Sequence, residues 1–217
     1  MEQVSEISRQ SGCVVVRFTG GEKLVVPRPL FHERPLKVGQ NVGAAEYLLF
    51  LHLRGYPHAL DAAVRLLSVC DRSEREIRAR LERVGYPRPC IERVIEKLYA
   101  EELLDDEALA EHWAQSRAHR HGRARIRREL TRRGVDPETA QAATSRLSDE
   151  EQLADAIRLT GKYLGRTHGA MDRKLYQRTL AMLARHGYDA DIARRALEAI
   201  AKGEDAGEEP PDLYYHP

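Results

Sequence analysis

Eight arginines stand between positions 117 and 133: Arg117, Arg120, Arg123, Arg125, Arg127, Arg128, Arg132 and Arg133. One acid, Glu129, opposes them, so the segment carries a local charge of +7 (8 − 1). Ile126 and Leu130 are four apart and mark the inward face of a helix. That phase puts Arg125, Arg128 and Arg132 on one outer stripe and Arg123 and Arg127 on another. Like charges at these spacings cost about 0.2–0.5 kcal/mol per pair. An anion lying against them would offset that repulsion, either a phosphate backbone or an acidic protein face. Arg117, Arg120, Arg123, Arg125, Arg127, Arg128 and Arg132 are therefore the candidate partner- or DNA-binding residues. The alternative is neutralisation from just upstream by Glu101, Glu102, Asp105, Asp106, Glu107 and Glu111. That acidic run itself reads as a helix start, where carboxylates favour the positive end of the dipole.

No second chemistry competes. G-x-S-x-G, P-loop, G-x-G-x-x-G and H-E-x-x-H patterns are missing, so no catalytic residue is expected. Thr19-Gly20-Gly21-Glu22 reads as a hairpin turn. His119 and His121 stand two apart, which does not place two ligands on one helix face, so neither a metal nor a cofactor is expected. Cys13, Cys70 and Cys90 form no CxxC, which suits a reducing, cytoplasmic setting. Trp113 shares an inward phase with Leu109 and reads as core. The net charge of +1 gives no global case for nucleic acid, and no stretch reads as a membrane span or signal peptide. A monomer is expected.

The elements that must hold this stripe recur. Leu81 through Gly85-Tyr86 recurs as Leu130 through Gly134-Val135, and again as Leu183 through Gly187-Tyr188. The glycine spacings are 49 and 53 residues. Apolar positions follow each glycine: Ile91, Val94 and Leu98; Ala140, Ala143 and Leu147; Ala193, Ala196 and Ile200. A period near 50 residues with helical spacing inside it predicts a mainly α protein of tandem three-helix repeats forming an extended curved array. Helices are expected near 59–69, 74–84 and 88–102; near 107–119, 123–133 and 137–147; and near 150–164, 171–186 and 190–201. Ser73-Glu74-Arg75-Glu76 and Ser148-Asp149-Glu150-Glu151 are capping boxes, while Asp106 and Asp136 can cap helices of the second repeat.

Ahead of the repeats, Cys13–Phe18 and Lys23–Val26 predict a small β-hairpin about Gly20-Gly21. One register would set Phe18 opposite Leu24 and Val16 opposite Val26. Pro27, Pro29 and Pro35 then break regular structure, and a helix from Ala44 is expected to end at Arg54, before Gly55 and Pro57. The domains are therefore 1–57 (hairpin plus helix), 58–106, 107–148 and 149–202 (three repeats), and 203–217, an acidic tail read as disordered.

Three stretches, in this order and spacing, resemble the RecX regulatory family. They are Asp71-Arg72-Ser73-Glu74-Arg75-Glu76-Ile77 with Leu81 and Gly85-Tyr86; Leu98 through Leu104-Asp105-Asp106-Glu107 and Leu109-Ala110; and Arg125-Ile126-Arg127-Arg128-Glu129-Leu130 with Gly134-Val135. The resemblance covers residues 59–147 and, more weakly, 153–201. It implies a non-enzymatic modulator of the RecA recombinase. Such a protein binds in the groove of the RecA filament on single-stranded DNA. It suppresses ATP hydrolysis, strand exchange and coprotease function, and blocks filament growth or promotes disassembly, in DNA repair and the SOS response. The residues alone also admit a direct DNA-binding protein of trihelical modules, or an unrelated helical scaffold. Within 122–133 no Asn or Gln interleaves the arginines, which suits backbone binding over base readout.

Overall fold

The computed structural model describes residues 2–165 and 172–203. These form three strands and ten helices, divided between two compact units: residues 2–109 with 133–135, and residues 110–132 with 136–165 and 172–203. Beyond Gly203 the expected acidic tail lies outside the described residues, as does the first residue of the helix expected from 171.

The first unit opens with an antiparallel meander, β1 (Val4–Gln10), β2 (Cys13–Phe18) and β3 (Lys23–Pro27), so the expected hairpin is a three-stranded sheet. In β1, Val4 and Ile7 are three apart, the wrong spacing for one face of a regular strand. A bulge between Val4 and Glu6 re-phases the strand, bringing Val4 opposite Phe18 and Ile7 opposite Val16. The β2–β3 turn closes where Phe18 N donates to Glu22 O at 2.9 Å, so Val16 faces Leu24 and Val14 faces Val26. That register is one strand period from the expected one, so Val14, Val16 and Phe18 keep a common face with Leu24 and Val26.

Of the prolines that follow, Pro35 lies in irregular chain as expected, but Pro27 and Pro29 do not break structure. Pro27 caps α1 (Arg28–Glu33) and Pro29 lies in its first turn, where no intrahelical N–H is needed. Nor does the next helix stop at Arg54: α2 runs unbroken from Ala44 to Leu67 through Gly55 and Pro57. An interior proline costs about 3 kcal/mol, but burial overrides it. Tyr47, Leu51, Gly55, Ala59 and Ala63, each four residues from the last, form one buried stripe across the proline. Gly55 lets the chain around Cys90 approach, and a Cβ there would meet Cys90 Sγ at 3.0 Å.

Helices α3 (Glu74–Val84) and α4 (Arg88–Ala100) complete the first repeat with the second half of α2. Ser73 and Glu76 form the expected capping box. Ile77, Leu81, Ile91, Val94 and Leu98 are fully buried in one core with the sheet and α2. At the end of α3, Gly85 takes φ +97°, Gly85 N donates to Glu82 O and Tyr86 N to Leu81 O, a Schellman closure. Gly187 repeats it at φ +90°, with Tyr188 N donating to Leu183 O. Burial pushes the Tyr86 hydroxyl up to about 12.

The second repeat comprises α5 (Asp106–Ala118), α6 (Arg123–Arg133) and α7 (Pro137–Ser145), the last capped by Asp136 as expected. Asp106 does not cap α5. Asp105 does, accepting from Glu107 N and Ala108 N, while Asp106 Oδ1 accepts from Glu74 N at the start of α3. Burial and the nearby Glu74, Glu76 and Asp105 charges push the Asp106 carboxyl above its ordinary range. The third repeat comprises α8 (Asp149–Gly165), α9 (Arg173–His186) and α10 (Ala190–Ala201), which enclose Ala156, Met182, Leu183, Tyr188, Ile192, Ala193 and Ala196.

Candidate anion-binding face

Helix α6 starts against α9 in the second unit, while its last residue, Arg133, is held in the first. At its carbonyl end, Arg133 O accepts from Ser73 Oγ at 2.6 Å, beside the first amides of α3. At its amide end, Gly122 N donates to His186 O (2.9 Å) and Ala124 N to Gly187 O (3.0 Å), so the carbonyl end of α9 meets the start of α6. The α9–α6 junction sets the negative end of one helix dipole on the positive end of another and satisfies groups that helix termini leave open. Gly134 and Gly187 make these approaches possible: a Cβ on Gly134 would strike the Arg75 side chain, and one on Gly187 the backbone and Cβ of Arg125.

With Ile126 and Leu130 fully buried as the spacing requires, the arginines divide into two groups. One group is engaged within the fold. Arg123 is half-buried, donates to Leu147 O and pairs with Asp149 at 2.5 Å. Arg125 pairs with Glu129 at 3.1 Å, and Arg127 donates to Gln141 Oε1. Arg117 stacks its guanidinium 4.4 Å from the centre of the Trp113 ring, a cation–π contact. Trp113 is therefore half-buried and not the core residue its phase suggested. Arg133 grips both oxygens of Glu76, at 3.0 and 2.9 Å.

The other group is Arg120, Arg128 and Arg132. All three are exposed, and among the described residues none has an ion-pair partner. Arg128 and Arg132 share an open groove with Arg127, Thr131 and Pro137. Four of the six upstream acids offered as alternative partners are engaged elsewhere. Glu101 holds Lys97, Glu111 holds Arg146, and Asp105 and Asp106 accept from backbone amides. The two charges at the groove thus face solvent uncompensated, at a spacing suited to an extended anion.

A titratable contact lies at the α6–α9 junction. The His121 and His186 rings are 6.3 Å apart, and Nδ1 of each is buried without a partner among the described residues. Burial, then the Arg125 charge, hold both below the ordinary imidazole value of 6.5; Glu129 works against this at His121, while Arg117 and the His186 charge add to it, and at His186 Arg185 adds to it and a backbone hydrogen bond to Arg120 opposes it. The unfolded chain therefore binds protons near pH 6.5 that the folded junction refuses until lower pH. Stability should be full above about pH 6.5 and fall as the pH drops through that value. Urea midpoints at pH 5 and pH 7.5 check this. The difference should shrink in His121→Gln/His186→Gln, since carboxylate contributions are common to both proteins.

The architecture is that of three-helix modules in tandem, the second bearing a basic groove. Models of the RecX first, second and third three-helix domains match residues 59–98, 105–143 and 149–197 in turn. The regulatory protein RecX of Thermobifida fusca is 33% identical over 151 residues, covering 69% of this chain and 82% of that protein. The Bacillus velezensis RecX is 30% identical over 165 residues, covering 75% of this chain; the chain spans 63% of that relative's length. A crystal structure of RecX from Lactobacillus salivarius shares the fold with a TM-score of 0.65 at 21% identity, covering 68% of this chain and 97% of that one. A crystal structure of another regulatory protein RecX shares it with a TM-score of 0.63 at 19% identity, over 91% of this chain. The chain belongs to the RecX family of regulatory proteins. Among the described residues no helix is long and apolar enough to cross a membrane.

Proposed function

We propose that this chain is a non-enzymatic negative regulator of a RecA-type recombinase, acting on the filament that the recombinase forms on single-stranded DNA. In this reading it lowers ATP hydrolysis, strand exchange and filament growth. The observation that carries it is the pair Arg128 and Arg132, exposed and unneutralised beside one groove in a chain of this family. Arg120 adds a third free charge. Arg117 and Arg127, whose contacts are with the uncharged Trp113 and Gln141, raise the potential of the face, while Arg123 and Arg125 are offset by Asp149 and Glu129. The ligand is an anion of the filament, phosphate backbone or an acidic recombinase surface.

A second reading is direct, sequence-independent DNA binding, favoured by an outer face of arginine without base-reading amides. Co-sedimentation separates the two. The regulator should pellet with assembled recombinase–DNA filament and bind more weakly to free recombinase or naked single-stranded DNA at 0.15 M salt. Equal binding to naked DNA and to filament would favour the second reading.

A further inference from the structure

The third repeat carries a basic face that the reading of α6 does not use. Helix α9 holds Arg173, Lys174, Arg178 and Arg185 and no acid, a charge of +4 (4 − 0) with histidine neutral. All four are exposed, and among the described residues none is in an ion pair. Lys174, Arg178 and Arg185 share one outer stripe of the helix, and the first two repel at i,i+4. Arg173 and Lys174 also occupy the first turn, at the positive end of the helix dipole, where cations are disfavoured. The carboxylate at that end, Asp172, is taken up as the cap and accepts from Leu175 N. The neighbouring helices offer less. Helix α8 begins with Asp149, Glu150 and Glu151, and the Arg194 and Arg195 of α10 share Asp191.

The chain itself supplies a matching counter-charge. Residues 204–217 contain Glu204, Asp205, Glu208, Glu209 and Asp212 and neither lysine nor arginine, a charge of −5. They follow α10, which packs on α9: Met182 and Leu183 share a core with Ile192, Ala193 and Ala196. The reach is sufficient. From Arg178 to the end of α10, the path along both helices and the turn between them is about 40 Å, and the packing of one helix on the other shortens it. Asp212 stands eleven residues past Ala201, about 36–40 Å of extended chain. We infer that segment 204–217 docks on the stripe of Lys174, Arg178 and Arg185 and covers α9 against anions from outside. Tethering favours this occupant over a free one. A tethered segment is present at an effective concentration on the order of millimolar, so a site of about 0.1 mM affinity is filled roughly nine-tenths of the time. An outside anion then gains α9 only by displacing the segment. The inference does not rest on the function proposed above, and it holds whatever the α6 groove binds.

Two measurements on the full chain test this. A zero-length carbodiimide joins a carboxylate to an amine only where the two are in contact. In the parent protein it should link Lys174 to an acid of residues 204–212, and salt near 1 M, where screening acts within about 3 Å, should suppress the link. The second measurement is binding of fluorescent polyglutamate at about 50 mM salt, where the screening length is longer than about 10 Å. Glu204→Gln/Asp205→Asn/Glu208→Gln/Glu209→Gln/Asp212→Asn should bind the probe about tenfold more tightly than the parent. Adding Lys174→Ala/Arg178→Ala/Arg185→Ala should abolish that gain with helix content unchanged. A parent protein in which Lys174 links to no acid of the segment would overturn the inference. So would neutralisation without a gain, or a gain that survives loss of the α9 charges. Arg128→Ala/Arg132→Ala tests the α6 groove separately, and its effect on probe binding should be the same with either form of the segment. An effect seen only with the neutral segment would place the segment on α6 and also overturn the inference.

Discussion

Replacing Gly187 by alanine should destabilise the second unit by about 2–5 kcal/mol. Two effects add. The residue sits at φ +90°, where a side chain costs roughly 1–2 kcal/mol. A Cβ would also fall inside contact distance of Arg125 N, Cβ and Cα, the last at 2.9 Å. Those are backbone and near-backbone atoms, which cannot swing aside as the tip of a flexible side chain can, and overpacking of this kind costs about 1–3 kcal/mol. The junction can relieve the overlap only by parting the α9 carbonyl end from the α6 amide end, which sacrifices the bonds from Gly122 N to His186 O and from Ala124 N to Gly187 O. Gly39 supplies the control: its φ is +81° but nothing lies within 4 Å of its would-be Cβ, so Gly39→Ala should cost only about 1–2 kcal/mol. Urea denaturation of the two variants against the parent protein decides the matter. Equal losses would mean that the close approach contributes nothing.

Reversing charge at the α6 groove should have the largest effect on function. Arg128→Glu/Arg132→Glu changes the local charge by −4 (two residues, −2 each) on a surface that pairs with nothing inside the fold. Stability should therefore shift by no more than about 0.5 kcal/mol, the range for surface substitutions. Affinity for the recombinase filament should fall on the order of tenfold or more, and the salt slope should flatten. Arg123→Glu is the informative contrast. That side chain is bound to Leu147 O and Asp149, so its replacement should unfold or loosen the second unit before any anion is tested. Urea midpoints and filament co-sedimentation, run on the same preparations, separate the two kinds of loss.

The repeat was legible because its marks are local. A glycine that must take positive φ, a capping Ser or Asp, and apolar residues at helical spacing need no knowledge of the rest of the chain. Gly85 and Gly187 close their helices as their sequences require, at φ +97° and +90°. Ile126 and Leu130 face inward for the same reason. The readings that failed involved two local signals in conflict or a partner far along the chain. Pro57 argued for a helix end, while Tyr47, Leu51, Gly55, Ala59 and Ala63 argued at constant spacing for a helix through it; burial of that stripe was the stronger effect. In β1 a bulge disguised the alternation that would have revealed a strand. Asp106 serves Glu74 N, 32 residues away, and no local rule distinguishes that from capping its own helix. The same limit applies at the site. That the segment was basic was plain, but Arg123 is claimed by Asp149 and Arg133 by Glu76, and only the folded chain separates them from the exposed Arg128 and Arg132.

The most direct test of the proposed function is ATP hydrolysis by a cognate RecA-type recombinase on single-stranded DNA, with this protein titrated in below the recombinase concentration. A regulator that acts on the filament should suppress hydrolysis strongly at a small fraction of the recombinase, and Arg128→Glu/Arg132→Glu should relieve that suppression. Suppression that appears only once the protein exceeds the available DNA sites, or no suppression at all, would contradict the proposal.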